Sequence, residues 1–181
     1  MKKVAMDHKL SLPLRTLSTT ALALLAALPF QSAQAATATA SFQVTATVLK
    51  ACIVSTPATL AFGNYTPSTG TPATGTTAFN VTCTFGTTYS VGLSPGASPG
   101  ATVTTRKMTS PTAAAGNNTL AYELFKESAM TTNWDNSTSG TGYTATGLPQ
   151  PYTIYGAIPV GQYSAAPAAD YADTITLTLT Y

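Results

Sequence analysis

Asp173-Thr-Ile-Thr-Leu-Thr-Leu-Thr-Tyr181 decides the fold class. Ile175, Leu177, Leu179 and Tyr181 share one parity and four threonines take the other, the period-2 signature of a strand with one buried face. The run carries no charge after Asp173, no proline and no bulge, so nothing in it shields a sheet edge, and its partner must come from elsewhere. One other stretch has comparably long, uncharged alternation: Ala38-Thr-Ala-Ser-Phe-Gln-Val-Thr-Ala-Thr-Val48, in which Phe42, Val44, Ala46 and Val48 fall on one face.

Working outward, residues 1–35 read as a secretory signal: Lys2, Lys3, Lys9 and Arg15 precede an apolar run from Leu17 to Leu28, and Ala33-Gln-Ala35 fits a small-residue cleavage site. That run is too short to span a bilayer, so no membrane insertion is expected. The remaining 146 of 181 residues suit one domain. They hold four basic and five acidic residues, a net charge of −1, so nucleic acid is not an expected partner. Cys52 and Cys83 are the only cysteines; in an exported chain a single disulfide is the default reading, and closing this loop adds roughly 3–4 kcal/mol in the chain-entropy model.

Between the two alternating stretches the pattern predicts short strands: Lys50 to Val54, Leu60 to Tyr65, Ala78 to Phe85, Tyr89 to Leu93, Thr102 to Met108, Leu120 to Phe125 and Tyr152 to Ile158. A Thr/Gly/Pro stretch up to Thr77 reads as loop, Gly86-Thr-Thr as the turn of a hairpin, and residues 128–151 as a polar loop holding Trp134. Six or seven short strands with Gly, Pro and Asn punctuation argue for an all-β antiparallel sandwich.

Catalytic chemistry is sparse. The single histidine, His8, lies in the signal segment, which removes the commonest general base. Asp170 and Asp173 stand close together before the last strand and, with Glu123 and Glu127, could supply a glycosidase pair, but Asp at a strand entry reads better as turn chemistry. No metal or cofactor motif is present, and the chain is not expected to be an enzyme. Trp134, with Tyr143 and Tyr152 nearby in sequence, could either stack on a sugar or pin its loop to the sheet.

Cys52-Ile-Val, Leu60-Ala-Phe-Gly-Asn-Tyr65, Val81-Thr-Cys-Thr with Gly86 and Tyr89, Arg106 with Met108, Leu120-Ala-Tyr-Glu-Leu-Phe125, Trp134, Tyr152-Thr-Ile-Tyr-Gly156, Ile158-Pro-Val-Gly-Gln162 and the run from Tyr171 to Tyr181 follow one another in a characteristic order. In these stretches the chain resembles the spore coat protein U domain family, shared with pilus subunits of the archaic chaperone-usher pathway. The resemblance implies an incomplete immunoglobulin-like antiparallel sandwich, completed by a donor strand from a periplasmic chaperone and then from another copy delivered at an outer-membrane usher. On that reading residues 1–35 are signal peptide, 36–49 the donor strand and 50–181 the domain. Phe42, Val44, Ala46 and Val48 are donor plugs; Ile175, Leu177, Leu179 and Tyr181 line the acceptor groove. The expected role is a secreted, cell-surface fibre subunit supporting adhesion or biofilm formation. Two alternatives stand beside it: a self-complemented coat or surface domain, and a glycan-binding adhesin using Trp134.

Overall fold

The computed structural model describes residues 34–181. The signal-peptide reading therefore lies outside the described residues except at its final positions. The described chain divides into a leading segment that ends at Val44 and a body, Thr45–Tyr181.

The body is built from eight strands: β1 (Cys52–Val54), β2 (Ala73–Cys83), β3 (Thr88–Leu93), β4 (Arg106–Thr109), β5 (Thr119–Phe125), β6 (Tyr143–Thr144), β7 (Gln150–Ile158) and β8 (Leu177–Thr180). One sheet has the order β1-β2-β7-β5-β4, the other β6-β3-β8, and every pairing is antiparallel. Alternation explains the larger sheet. Along β2, Phe79, Val81 and Cys83 point inward while Thr74, Thr76 and Asn80 face solvent, and Phe79 stacks on Tyr152 of β7, its direct cross-strand partner. Inward residues of both sheets meet in one core that includes Val81, Tyr89, Val91, Leu93, Leu124, Ile154 and Ile158.

Four sequence expectations are corrected. Residues 73–77 are the start of β2, not loop: they pair with residues 154–158 of β7 across a regular ladder. β2 and β3 are not a hairpin, because Gly86, at φ 75°, turns the chain out of one sheet into the other. The strand expected from Thr102 begins only at Arg106; residues 102–105 form a turn closed by Thr105 N–H donating to Thr102 O. Leu60 to Tyr65 is not a strand either, and instead crosses the inner face of the larger sheet.

That crossing depends on glycine. Gly75 and Gly156 are direct partners in the β2–β7 ladder. A Cβ on Gly75 would lie 2.6 Å from the Ala61 carbonyl oxygen, and one on Gly156 2.8 Å from Phe62 Cζ. Gly75→Ala is expected to cost roughly 1–3 kcal/mol, because the obstacle is backbone and cannot swing aside; thermal melting beside the solvent-facing Thr76→Ala checks it.

Candidate functional site

The smaller sheet stops at β8. That strand pairs with β3 through Ser90↔Thr180 to Leu93↔Leu177, and no strand lies on its other edge among the described residues. The final strand thus finds one partner, β3, within the chain, and its second edge has none among the described residues. Beyond β8 the inner face of the larger sheet continues uncovered and forms a groove of about 590 Å³. Residues 54–60 make one wall, residues 171–175 and Leu177 the other, and Leu93, Met108, Tyr122, Leu124 and Ile154 contribute to the floor. A row of unpaired backbone groups beside an apolar trough is the template that an added strand completes.

The walls are held by polar anchors. Asp173, at the β8 wall, accepts hydrogen bonds from Ala97 N–H (2.8 Å), Tyr122 O–H (2.7 Å) and its own neighbour Thr174 N–H (2.7 Å). Burial, reinforced by the Asp173 carboxylate, pushes the Tyr122 hydroxyl far above its ordinary pKa, so it stays a donor at any physiological pH. Arg106, 0% exposed, donates to four carbonyls: Ser94 O (3.0 Å), Val103 O (2.5 Å), Leu93 O (3.0 Å) and Trp134 O (2.8 Å). Burial lowers its pKa while the nearby Asp173 and Asp135 carboxylates oppose that shift. The guanidinium fork thereby ties the end of β3, the 102–105 turn and the Trp134 loop to one point behind the groove.

Trp134 is 1% exposed, donates its indole N–H to Val91 O at 3.1 Å and lies 5.9 Å from the Phe79 ring centroid. Its faces are buried, so the sugar-stacking role weighed for it has no ring surface to use; the residue anchors its loop. From that anchor residues 135–140 strap the outer face of β3: Asp135 O accepts from Leu93 N–H, Gly140 N–H donates to Ser90 Oγ, and a Cβ on Gly92 would meet Ser137 O at 2.7 Å. This covers both faces of β3 and half-buries Thr178 and Thr180 of β8.

The other expected residues fall as follows. Phe42, Val44, Ala46 and Val48 are exposed and lie outside any strand, with Phe42 at 87%. Ile175 and Leu177 line the groove, Leu179 is half-buried in β8, and Tyr181 is 54% exposed beyond the strand. Cys52 and Cys83 are joined by a disulfide and are direct β1–β2 partners. Asp170 accepts from Ser110 and Thr112, and Glu127 from Thr131 and Thr132; these hydrogen bonds hold both carboxyls below their usual range and mark them as turn caps. Sequence reasoning missed the 54–60 wall, which has no periodicity to signal it.

Comparison with known proteins places this geometry. The family model described as the Spore Coat Protein U domain matches residues 38–178. Protein U of Myxococcus xanthus is 37% identical over 166 residues, covering 84% of this chain and 89% of that protein. Among solved structures, the chain is similar to one chain of the CsuC-CsuE chaperone-tip adhesion subunit pre-assembly complex from archaic chaperone-usher Csu pili of Acinetobacter baumannii. The TM-score is 0.50 at 26% identity, covering 75% of this chain and 40% of that one. The fold is accordingly an incomplete immunoglobulin-like antiparallel sandwich.

Proposed function

This chain belongs to the Spore Coat Protein U domain family, and from that premise we propose that it is a structural subunit of a secreted surface fibre of the chaperone-usher type, polymerising by donor-strand exchange. Residues 1–35 direct export, 36–49 form the donor segment and 50–181 the acceptor domain. A periplasmic chaperone fills the groove first, and at an outer-membrane usher the donor segment of another copy replaces it. Phe42, Val44, Ala46 and Val48 are the plugs; each large one contributes about 1.5–3 kcal/mol on burial, and the backbone ladder along β8 sets direction. Such head-to-tail contacts do not close on themselves and give a fibre, which supports adhesion or biofilm formation. No group of the chain is assigned a catalytic or cofactor-binding role.

The observation that carries this reading is the polarity of the body. Ala51 pairs with Thr84, fixing the root of the donor segment at the end of the body where β2 passes into β3. Because Thr180 sits opposite Ser90 and Leu177 opposite Leu93, the end of β8 lies near that root and Asp173 lies at the far end beside Ala97. A donor folding back into its own groove would have to run parallel to β8 after a reversal at residues 49–50. A donor arriving from another copy is free to run antiparallel, the better-bonded arrangement in a sheet whose every other pairing is antiparallel. The mature chain, purified without chaperone, is expected to form ladders or aggregates; a stable monomer with residues 38–48 in its own groove would support the self-complemented alternative instead.

A further inference from the structure

The donor and the groove wall carry matching patterns beyond their apolar residues. Pairing antiparallel strands so that Phe42 faces Tyr181 puts Val44 opposite Leu179, Ala46 opposite Leu177 and Val48 opposite Ile175. The same register puts Lys50 opposite Asp173. Lys50 is exposed, and neither residue belongs to an ion pair among the described residues, where Lys126–Asp135 is the pair formed. Asp173 is half-buried at the groove wall with three donors already fixing its carboxylate in place.

Building on the exchange reading above, we propose that Lys50 of one copy docks against the Asp173 carboxylate of the next, and that this contact selects the register of the donor strand. Slippage must occur in steps of two, since a single step turns every plug toward solvent. A slip in one direction sets Val48 against the Asp173 carboxylate; a slip in the other sets Lys50 against Ile175 and leaves Phe42 beyond Tyr181. A parallel donor with the same plug spacing opposes Asp173 with Ala40. Only the antiparallel, in-register arrangement satisfies the charge and all four plugs together.

The contact is available only between copies. Lys50 precedes Ala51, which is pinned to Thr84 at one end of the body, whereas Asp173 sits past Leu93 at the other. The six residues of β3 alone separate those ends by roughly 20 Å, about three times the reach of a lysine side chain. Because β1 begins at Cys52, two residues after Lys50, the bodies of successive copies abut with almost no free linker.

The test uses fibres assembled in cells from the full-length chain with its chaperone and usher. Three cysteine pairs report register by disulfide ladders on non-reducing gels: Ala46→Cys with Leu177→Cys for the stated register, and Ala46→Cys with Leu179→Cys or with Ile175→Cys for the slipped ones. The first pair is expected to dominate. Adding Lys50→Glu, which sets like charges opposite each other, is expected to shift the ratio about five-fold toward the slipped pairs, and Lys50→Arg to leave it unchanged. An in-register ladder insensitive to Lys50→Glu, or a slipped pair dominating with Lys50 intact, overturns the proposal. Fibres in which none of the three pairs cross-links overturn the exchange reading itself.

Discussion

Fibre yield from a chain carrying Val44→Asp is expected to fall by at least two orders of magnitude, while the domain still folds on its chaperone. Val44 lies in the leading segment, outside the body, so its replacement removes nothing from the core. In an exchanged donor it would face a groove walled and floored by residues such as Leu177, Leu124 and Ile154. The substitution forfeits about 2 kcal/mol of apolar burial and adds the cost of burying a carboxylate without a partner, several kcal/mol more. Thr47→Asp lies on the opposite parity, which an inserted donor turns toward solvent, and should leave fibres near normal. Gel ladders and electron microscopy of surface material read both variants. Equal loss from the two would show that the plug face has been assigned wrongly.

Arg106→Met is expected to destabilise the domain by at least about 4 kcal/mol, a large share of the total for a domain of this size. The thioether chain fills much of the volume but offers no donor to Ser94, Leu93, Val103 and Trp134 carbonyls, and each unsatisfied buried acceptor costs about 1–3 kcal/mol. Arg106→Lys should be intermediate, because an ammonium cannot span four acceptors lying in different directions. Lys107→Met, one residue along the same strand and on its other face, is expected to change stability by no more than about 0.5 kcal/mol. Thermal melting of the assembled material, with the amount of subunit recovered from cells, checks all three. A melting point for Arg106→Met equal to that of Lys107→Met would mean that the four carbonyls find other partners.

Much of the strand content was legible because burial on one face writes itself as alternation. Leu120, Tyr122 and Leu124 of β5 and Phe79, Val81 and Cys83 of β2 were readable in this way, and all six are buried. The errors fell where alternation carries no information. The Gly86 corner has the composition of a hairpin turn, and period-2 strands on either side look alike whether they pair with each other or separate into two sheets. Residues 73–77 looked like loop because threonine and glycine are common in loops, yet they pair throughout with β7, and Gly75 is small because residues 60–62 cross above it. Arg106 could be noted in sequence, but its four carbonyl partners come from segments up to 28 residues away and are brought together only by packing.

By itself, the order of residues determined that this chain makes short antiparallel strands, that Phe42 to Val48 and Ile175 to Tyr181 each carry one apolar face, and that catalytic side chains are scarce. These are local properties, set by the two-residue period of an extended backbone and by composition. Only the tertiary structure decided that β8 has one edge free among the described residues, that residues 54–60 form the opposite wall of the groove, and that the donor root and Asp173 lie at opposite ends of the body. Which edge is left open, and in which direction it runs, follows from how the two sheets stack, and stacking is a relation between distant segments that no single stretch of chain encodes.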